Sequence, residues 1–135
     1  MKIRPAKEGD FPRITRLAEE LGLDYPGMEN DRVWIAEETD RVVGIVALKK
    51  HADSLELVSL GVDPAFRNRG LGGKLIRALT ESATDDVYLA TIIPDFFARS
   101  GFARAGSVPA GMKKDTAWCE GCPRERCTVM VRAGR

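Results

Sequence analysis

The run Arg67-Asn68-Arg69-Gly70-Leu71-Gly72-Gly73 constrains this chain more than any other stretch, because it links a strand-like segment to a helix-like one. Ser54 to Val62 reads as a long strand that ends at Asp63-Pro64, and Gly70 to Ala83 reads as a helix with Leu71, Leu75, Ile76 and Leu79 on its buried face. Val87 to Ile93 then reads as another strand. A strand, loop, helix, strand succession of this kind makes the two strands parallel, with a right-handed crossover. A helix N-terminus offers unpaired N–H groups and the positive end of the macrodipole, and glycines let an anion approach the backbone without meeting a Cβ. Arg67 and Arg69 add charge at the same place, so the loop is suited to a phosphate. The alternative is a glycine-rich helix start chosen for packing, with its arginines in solvent.

Two common phosphate loops are excluded by single positions. A P-loop needs Gly at position 68 and Ser or Thr at position 75, where Asn68 and Leu75 stand. A dinucleotide fingerprint needs its third glycine at position 75, and Leu75 again refuses it.

The rest of the chain reads as one α/β unit spanning residues 1–135, without repeats or a low-complexity linker. Lys2 to Arg4 forms a short first strand, and Asp10 is placed to cap a helix whose apolar residues are Phe11, Ile14, Leu17, Ala18 and Leu21. Gly22 stands where that helix should stop. Arg32 to Glu37 and Val42 to Lys49 form a hairpin around a Glu-Thr-Asp-Arg turn. Pro94 opens a short helix that ends near Gly101, Phe102 to Ala105 forms a strand, and Thr128 to Arg132 forms the last one. Gly106 to Arg126 is longer than an ordinary connection. Trp34, Phe96 and Phe97 read as packing residues.

Charge narrows the partners. A formal net charge of +1 gives no basic field to attract nucleic acid, so none is expected as a partner. The first residues mix charge with proline and lack an apolar leader, and no apolar run is long enough to span a bilayer. A cytoplasmic protein without a membrane partner is therefore expected.

Arg67, Gly70 and Gly72 together match the signature of the Gcn5-related N-acetyltransferase (GNAT) family: Gln or Arg, two residues, Gly, one residue, Gly or Ala. Leu60-Gly61-Val62-Asp63-Pro64 is similar to that family's fourth strand running into its turn. Pro94-Asp95-Phe96-Phe97-Ala98-Arg99-Ser100-Gly101-Phe102 resembles its later helix and Gly-Phe ending, and Ile3-Arg4-Pro5-Ala6 resembles its start. The resemblance implies a GNAT fold, a mixed sheet of six or seven strands with helices on both faces. It also implies acetyl-CoA in the splay between the fourth and fifth strands. Its pantetheine would lie along Leu60, Gly61 and Val62, and its pyrophosphate on the loop from Arg67 and Asn68 through Arg69, Gly70, Leu71, Gly72 and Gly73. The implied reaction is direct attack of a neutral amine on the thioester, helped by orientation and by a backbone N–H such as that of Val62.

Glu56 is the candidate base. Strand alternation puts it on the side of Val58, Leu60 and Val62, and related enzymes often carry an acidic residue on this strand. The alternative is an exposed strand-end glutamate. For the general acid the family often has a tyrosine where this chain has Phe97, which leaves water, Ser100, Tyr88 or unassisted departure of the thiolate.

Cys119, Cys122 and Cys127 have the spacing of a metal site, with zinc as the candidate ion and a fourth ligand needed from His51, Asp115, Glu120, Glu125 or another molecule. An incomplete iron-sulfur site, free thiols and one disulfide with a spare thiol are the alternatives. The segment from Trp118 to Pro123 also resembles the ending of some N-acetylglutamate-synthase-like single-domain members of the family. That likeness implies a small-molecule amine or amino-acid acceptor, for whose carboxylate Lys113 and Lys114 are candidates, and it leaves a homodimer open. A protein amino group as acceptor, a non-catalytic acyl-CoA sensor and an interaction module remain the competing readings.

Overall fold

The computed structural model describes residues 1–113 and 127–134. Apolar side chains at helical spacing make α1 (Phe11–Leu21), with Pro12 in its first turn. Gly22 closes it in the left-handed region at φ 70°, its N–H bonding the Glu19 carbonyl while the Leu23 N–H bonds the Ala18 carbonyl at 2.8 Å. β1 (Lys2–Pro5) precedes this helix, and β2 (Arg32–Glu38) and β3 (Arg41–Lys50) follow it as a hairpin. Its two-residue turn, Thr39-Asp40, has φ of 47° and 62°, the pair of positive values that matches strand twist.

β4 (Leu55–Val62), α2 (Leu71–Ser82) and β5 (Val87–Thr91) form the expected crossover, with β4 and β5 parallel through Leu55–Val87 and Glu56–Tyr88. α3 (Pro94–Ala98), β6 (Ala103–Arg104), α4 (Ala110–Lys113) and β7 (Thr128–Arg132) complete the described elements. The sheet has seven strands in the order β1-β2-β3-β4-β5-β7-β6, and β1–β2, β2–β3, β5–β7 and β6–β7 are antiparallel.

The chain divides into two compact units, Met1–Lys49 with Leu57–Ser82 and Lys50–Glu56 with Ala83–Arg135. In the first unit Ile14, Leu17 and Ala18 of α1 pack on Val33, Ile35, Ile45 and Ala47. A Cβ on Gly44, next to Ile45, would instead lie 3.0 Å from Leu75 of α2. Neighbouring residues on a strand point to opposite faces, so α1 and α2 cover the two faces of this part of the sheet. In the second unit Val87, Leu89, Phe97, Phe102 and Met130 are buried.

β5 and β6 are shorter than the sequence suggests. β5 stops at Thr91, whose hydroxyl accepts the Ile93 N–H at 2.9 Å and turns the chain, so Ile92 and Ile93 stay exposed. β6 keeps only Ala103 and Arg104, since the Phe102 N–H is bonded to the Phe97 carbonyl.

Asp10 precedes α1 but its side chain caps no helix N–H there. It is buried, and its two oxygens take Arg4 at 2.8 and 2.9 Å, Arg13 at 2.7 Å and the Lys7 N–H at 2.7 Å. Arg4 also reaches Glu37 on β2 at 3.2 Å, so one ionic cluster ties β1, α1 and β2. The Arg4 guanidinium, helped by the Lys7 N–H, holds the Asp10 carboxyl far below the usual carboxylate range, and Arg4 lowers Glu37 as well.

A carboxyl depressed on folding contributes its full stability above its unfolded value, about 3.9, and loses it as pH falls further. Denaturant melts should therefore show the native chain weakening from about pH 4 downward. Asp10→Asn should be less stable by about 3 kcal/mol at pH 7, because a partner of a nearly buried pair is removed, and should show a flatter acid slope. An unchanged acid slope in the variant would contradict this assignment.

Candidate cofactor loop and active site

The later part of β4 does not keep simple alternation. Ser59 has φ 55°, a left-handed value uncommon for a residue with a side chain, and its hydroxyl donates to the Leu23 carbonyl at 2.7 Å. Val58 packs on the α1 core, and a Cβ on Gly61 would collide with Leu23 and come within 2.8 Å of Leu21. Val58, the Ser59 hydroxyl and Gly61 thus share the α1 side, which a regular strand forbids. Leu60 and Val62 therefore do not follow Glu56 and Val58 as the sequence pattern suggests.

The turn after β4 is fixed by polar contacts within the first unit. Asp63 Oδ1 accepts the Ala65 N–H at 2.9 Å and its backbone N–H bonds the Val43 carbonyl at 2.8 Å. Arg67 Nε donates to the Val62 carbonyl at 3.0 Å, and Arg69 lies over the Phe66 ring at 5.0 Å from its centroid, with Arg41 at 5.8 Å. Asn68 and Gly70 are both left-handed, at φ 66° and 76°, on either side of Arg69. Left-handed residues at a helix start turn successive N–H groups toward one concavity. A Cβ on Gly70 or Gly73 would meet nothing within 4 Å, so open space lies over this backbone. Leu71 is buried on the inner face of α2, which leaves only its backbone available to a ligand. These features fit a pyrophosphate held by main-chain N–H groups with exposed arginines beside it.

Glu56, near the start of β4, belongs to the second unit and is not an exposed strand end. Its side chain is 14% exposed, and its Oε1 lies 2.7 Å from Nε2 of His51, itself 10% exposed. The β4–β5 register sets Tyr88 beside Glu56, on the same face of the sheet. Phe97 fills the position of the expected tyrosine as a packing residue, edge-on to Phe96 at 5.1 Å and to Phe102 at 6.0 Å. Sequence reasoning had placed His51 only among metal ligands. A sole histidine five residues before a candidate base, in a tight strand connection, was the available signal.

Cys119 and Cys122 lie outside the described residues, as do Lys114, Asp115, Glu120 and Glu125. Cys127 is half-buried just before β7. Among the described residues no group of three or more His, Cys, Asp or Glu side chains is arranged to hold a metal. Among those residues also, no helix is long and apolar enough to cross a membrane.

A mixed seven-stranded sheet with a glycine and arginine loop opening α2 defines an α/β fold with a helix start suited to an anion. The model of the Acetyltransferase (GNAT) family matches residues 4–106, and the chain belongs to that family. An amino-acid acetyltransferase of Mycobacterium tuberculosis is 31% identical over 127 residues, covering 79% of this chain and 71% of that protein. The structure of N-acetylglutamate synthase from Neisseria gonorrhoeae complexed with coenzyme A and N-acetyl-glutamate is similar with a TM-score of 0.78 at 24% identity. That similarity covers 99% of this chain and 35% of the Neisseria chain, so this chain corresponds to about a third of the synthase. Rv2747 of M. tuberculosis, solved in complex with CoA, has a TM-score of 0.73 at 22% identity, with 98% of this chain and 99% of that one covered.

Gly61→Ala tests the approach of α1 to β4. The added methyl must displace Leu21 and Leu23, at a cost of about 1 to 3 kcal/mol. A thermal melt should show that loss, and truncating Leu23 to Ala in the same chain should recover part of it. Full native stability in Gly61→Ala would contradict the close packing.

Proposed function

We propose that this acetyltransferase moves the acetyl group of acetyl-CoA to the amine of a free amino acid. The observation that carries the reading is the loop from Arg67 to Gly73, with its left-handed Asn68 and Gly70 opening toward solvent at the start of α2. The match to an amino-acid acetyltransferase supports the acceptor class. Leu60, Gly61 and Val62 would bind the pantetheine through their backbone, Arg69 with the N–H groups of Gly70 to Gly73 would hold the pyrophosphate, and Arg67 would brace the turn through the Val62 carbonyl.

Acetyl-CoA supplies an activated thioester and a thiolate leaving group. The ammonium form gives up one proton to become the nucleophile; its nitrogen then bonds to the acetyl carbon as the C–S bond breaks, and the second proton it sheds goes to the departing thiolate. Glu56 is the proposed acceptor of the first proton. An ordered water between the amine and Glu56 would carry the proton. An amine with a pKa near 10 is mostly protonated at pH 7, which is why a base is useful there.

Release of free thiol should be followed with L-glutamate, L-glutamine, L-arginine, L-lysine and a lysine-containing peptide. The reading expects turnover with at least one free amino acid and none above background with the peptide; the reverse would assign a protein acceptor. Glu56→Gln should lower kcat about 100-fold at pH 7. The deficit should shrink above pH 9, where the amine deprotonates without help, and a deficit independent of pH would contradict the base assignment.

One observation favours a second reading. Phe97, buried among aromatic rings, cannot donate a proton, which suits a non-catalytic acyl-CoA sensor. A sensor would bind acetyl-CoA yet release no thiol above background with any amine.

A further inference from the structure

The connection between β3 and β4 holds a contact that the acetyl-transfer reading leaves unused. His51 is the only histidine in the chain, and it stands in a tight turn where its N–H bonds the Ser54 carbonyl at 2.8 Å. Its ring lies against α4. A Cβ on Gly111 would come 2.7 Å from His51 Cβ, 2.8 Å from Cγ and 3.0 Å from Nδ1, closer than real side chains approach, so only glycine lets this backbone sit on the imidazole. The same turn grips α4 a second time, because Asp53 Oδ2 accepts the Ala110 N–H at 3.0 Å. All these residues belong to the second unit.

From this geometry we infer that His51 is a positioning residue for Glu56, donating from Nε2 to its carboxylate, with Gly111 of α4 holding the ring in place. An ionised carboxylate only accepts hydrogen bonds, so the tautomer with a proton on Nε2 is assigned to the 2.7 Å contact. A glutamate has three side-chain torsions and loses reach and orientation when unrestrained. Holding one oxygen on His51 fixes the orientation of the carboxylate. The inference rests on Glu56 being the base, and it extends that reading to the specific residues that aim it.

The test uses acetyl-CoA and the fastest amino acid of the panel above, with four variants of the full chain. His51→Ala should lower kcat about tenfold and leave KM for acetyl-CoA unchanged. His51→Gln keeps an N–H donor near the place of Nε2 but cannot carry a proton, and should retain most of the native kcat. Gly111→Ala, which pushes on the ring without removing it, should lower kcat in the same direction as His51→Ala. In a Glu56→Gln background, His51→Ala should have no further effect, because residues that act as a unit are not additive. As the only imidazole, His51 also gives an unambiguous nitrogen NMR signal, and its Nε2 resonance should move when Glu56 becomes Gln.

Several outcomes would overturn the assignment: full activity in His51→Ala, a His51→Gln as damaged as His51→Ala, or losses that multiply in the double variant. A severe Glu56→Gln with any of these removes the positioning role and leaves the base in place. A silent Glu56→Gln removes the base itself, and the inference falls with it.

Discussion

The left-handed backbone at Ser59 is the constraint on which the cofactor half of β4 depends. A residue with a Cβ held at φ 55° is strained by roughly 1 to 3 kcal/mol, and here the hydrogen bond from the Ser59 hydroxyl to the Leu23 carbonyl helps to offset that strain. Its consequence is geometric. The strand turns Gly61 against Leu21 and Leu23, where only hydrogen fits, and delivers Val62 and Asp63 to a turn that Arg67 and Asp63 brace from two sides. The glycine loop opens α2 directly after a turn whose own polar groups are bonded.

Much of this architecture was legible in the sequence. The spacing in α1, the alternation in the β2–β3 hairpin, the Thr39-Asp40 turn and the crossover from β4 to β5 each rest on a local rule that tertiary context did not override. The place of the loop between β4 and α2 could be read for the same reason, from glycines that follow a strand and open a helix. The ending of β5 was not legible: Ile92 and Ile93 are apolar and β-branched, yet a side-chain bond from Thr91 turns the chain before them.

The remaining misses share one cause. A side chain's partner can lie far away in sequence, and a local rule then names the wrong partner. Asp10 looks like a helix cap, but Arg4 on β1 claims its carboxylate and links it to Glu37, 27 residues further on. For Glu56, the candidate base, the sequence left an exposed strand end open as the alternative, because it does not show that His51 and the β5 neighbour Tyr88 flank it. His51 itself, which the sequence offered only as a metal ligand, is engaged by a carboxylate, and the sixty residues that separate it from Gly111 hide the contact that holds its ring.

The central claim is that the loop from Arg67 to Gly73 holds acetyl-CoA, and thermal melting with and without the cofactor tests it most directly. A ligand that binds only the folded chain adds about 2.7 kcal/mol of stability at one hundred times its dissociation constant. The account predicts a clear rise in Tm for the native chain, and no rise for a folded Gly72→Asp variant whose carboxylate repels the pyrophosphate. No rise in the native chain at millimolar acetyl-CoA, or an equal rise in the variant, would contradict it.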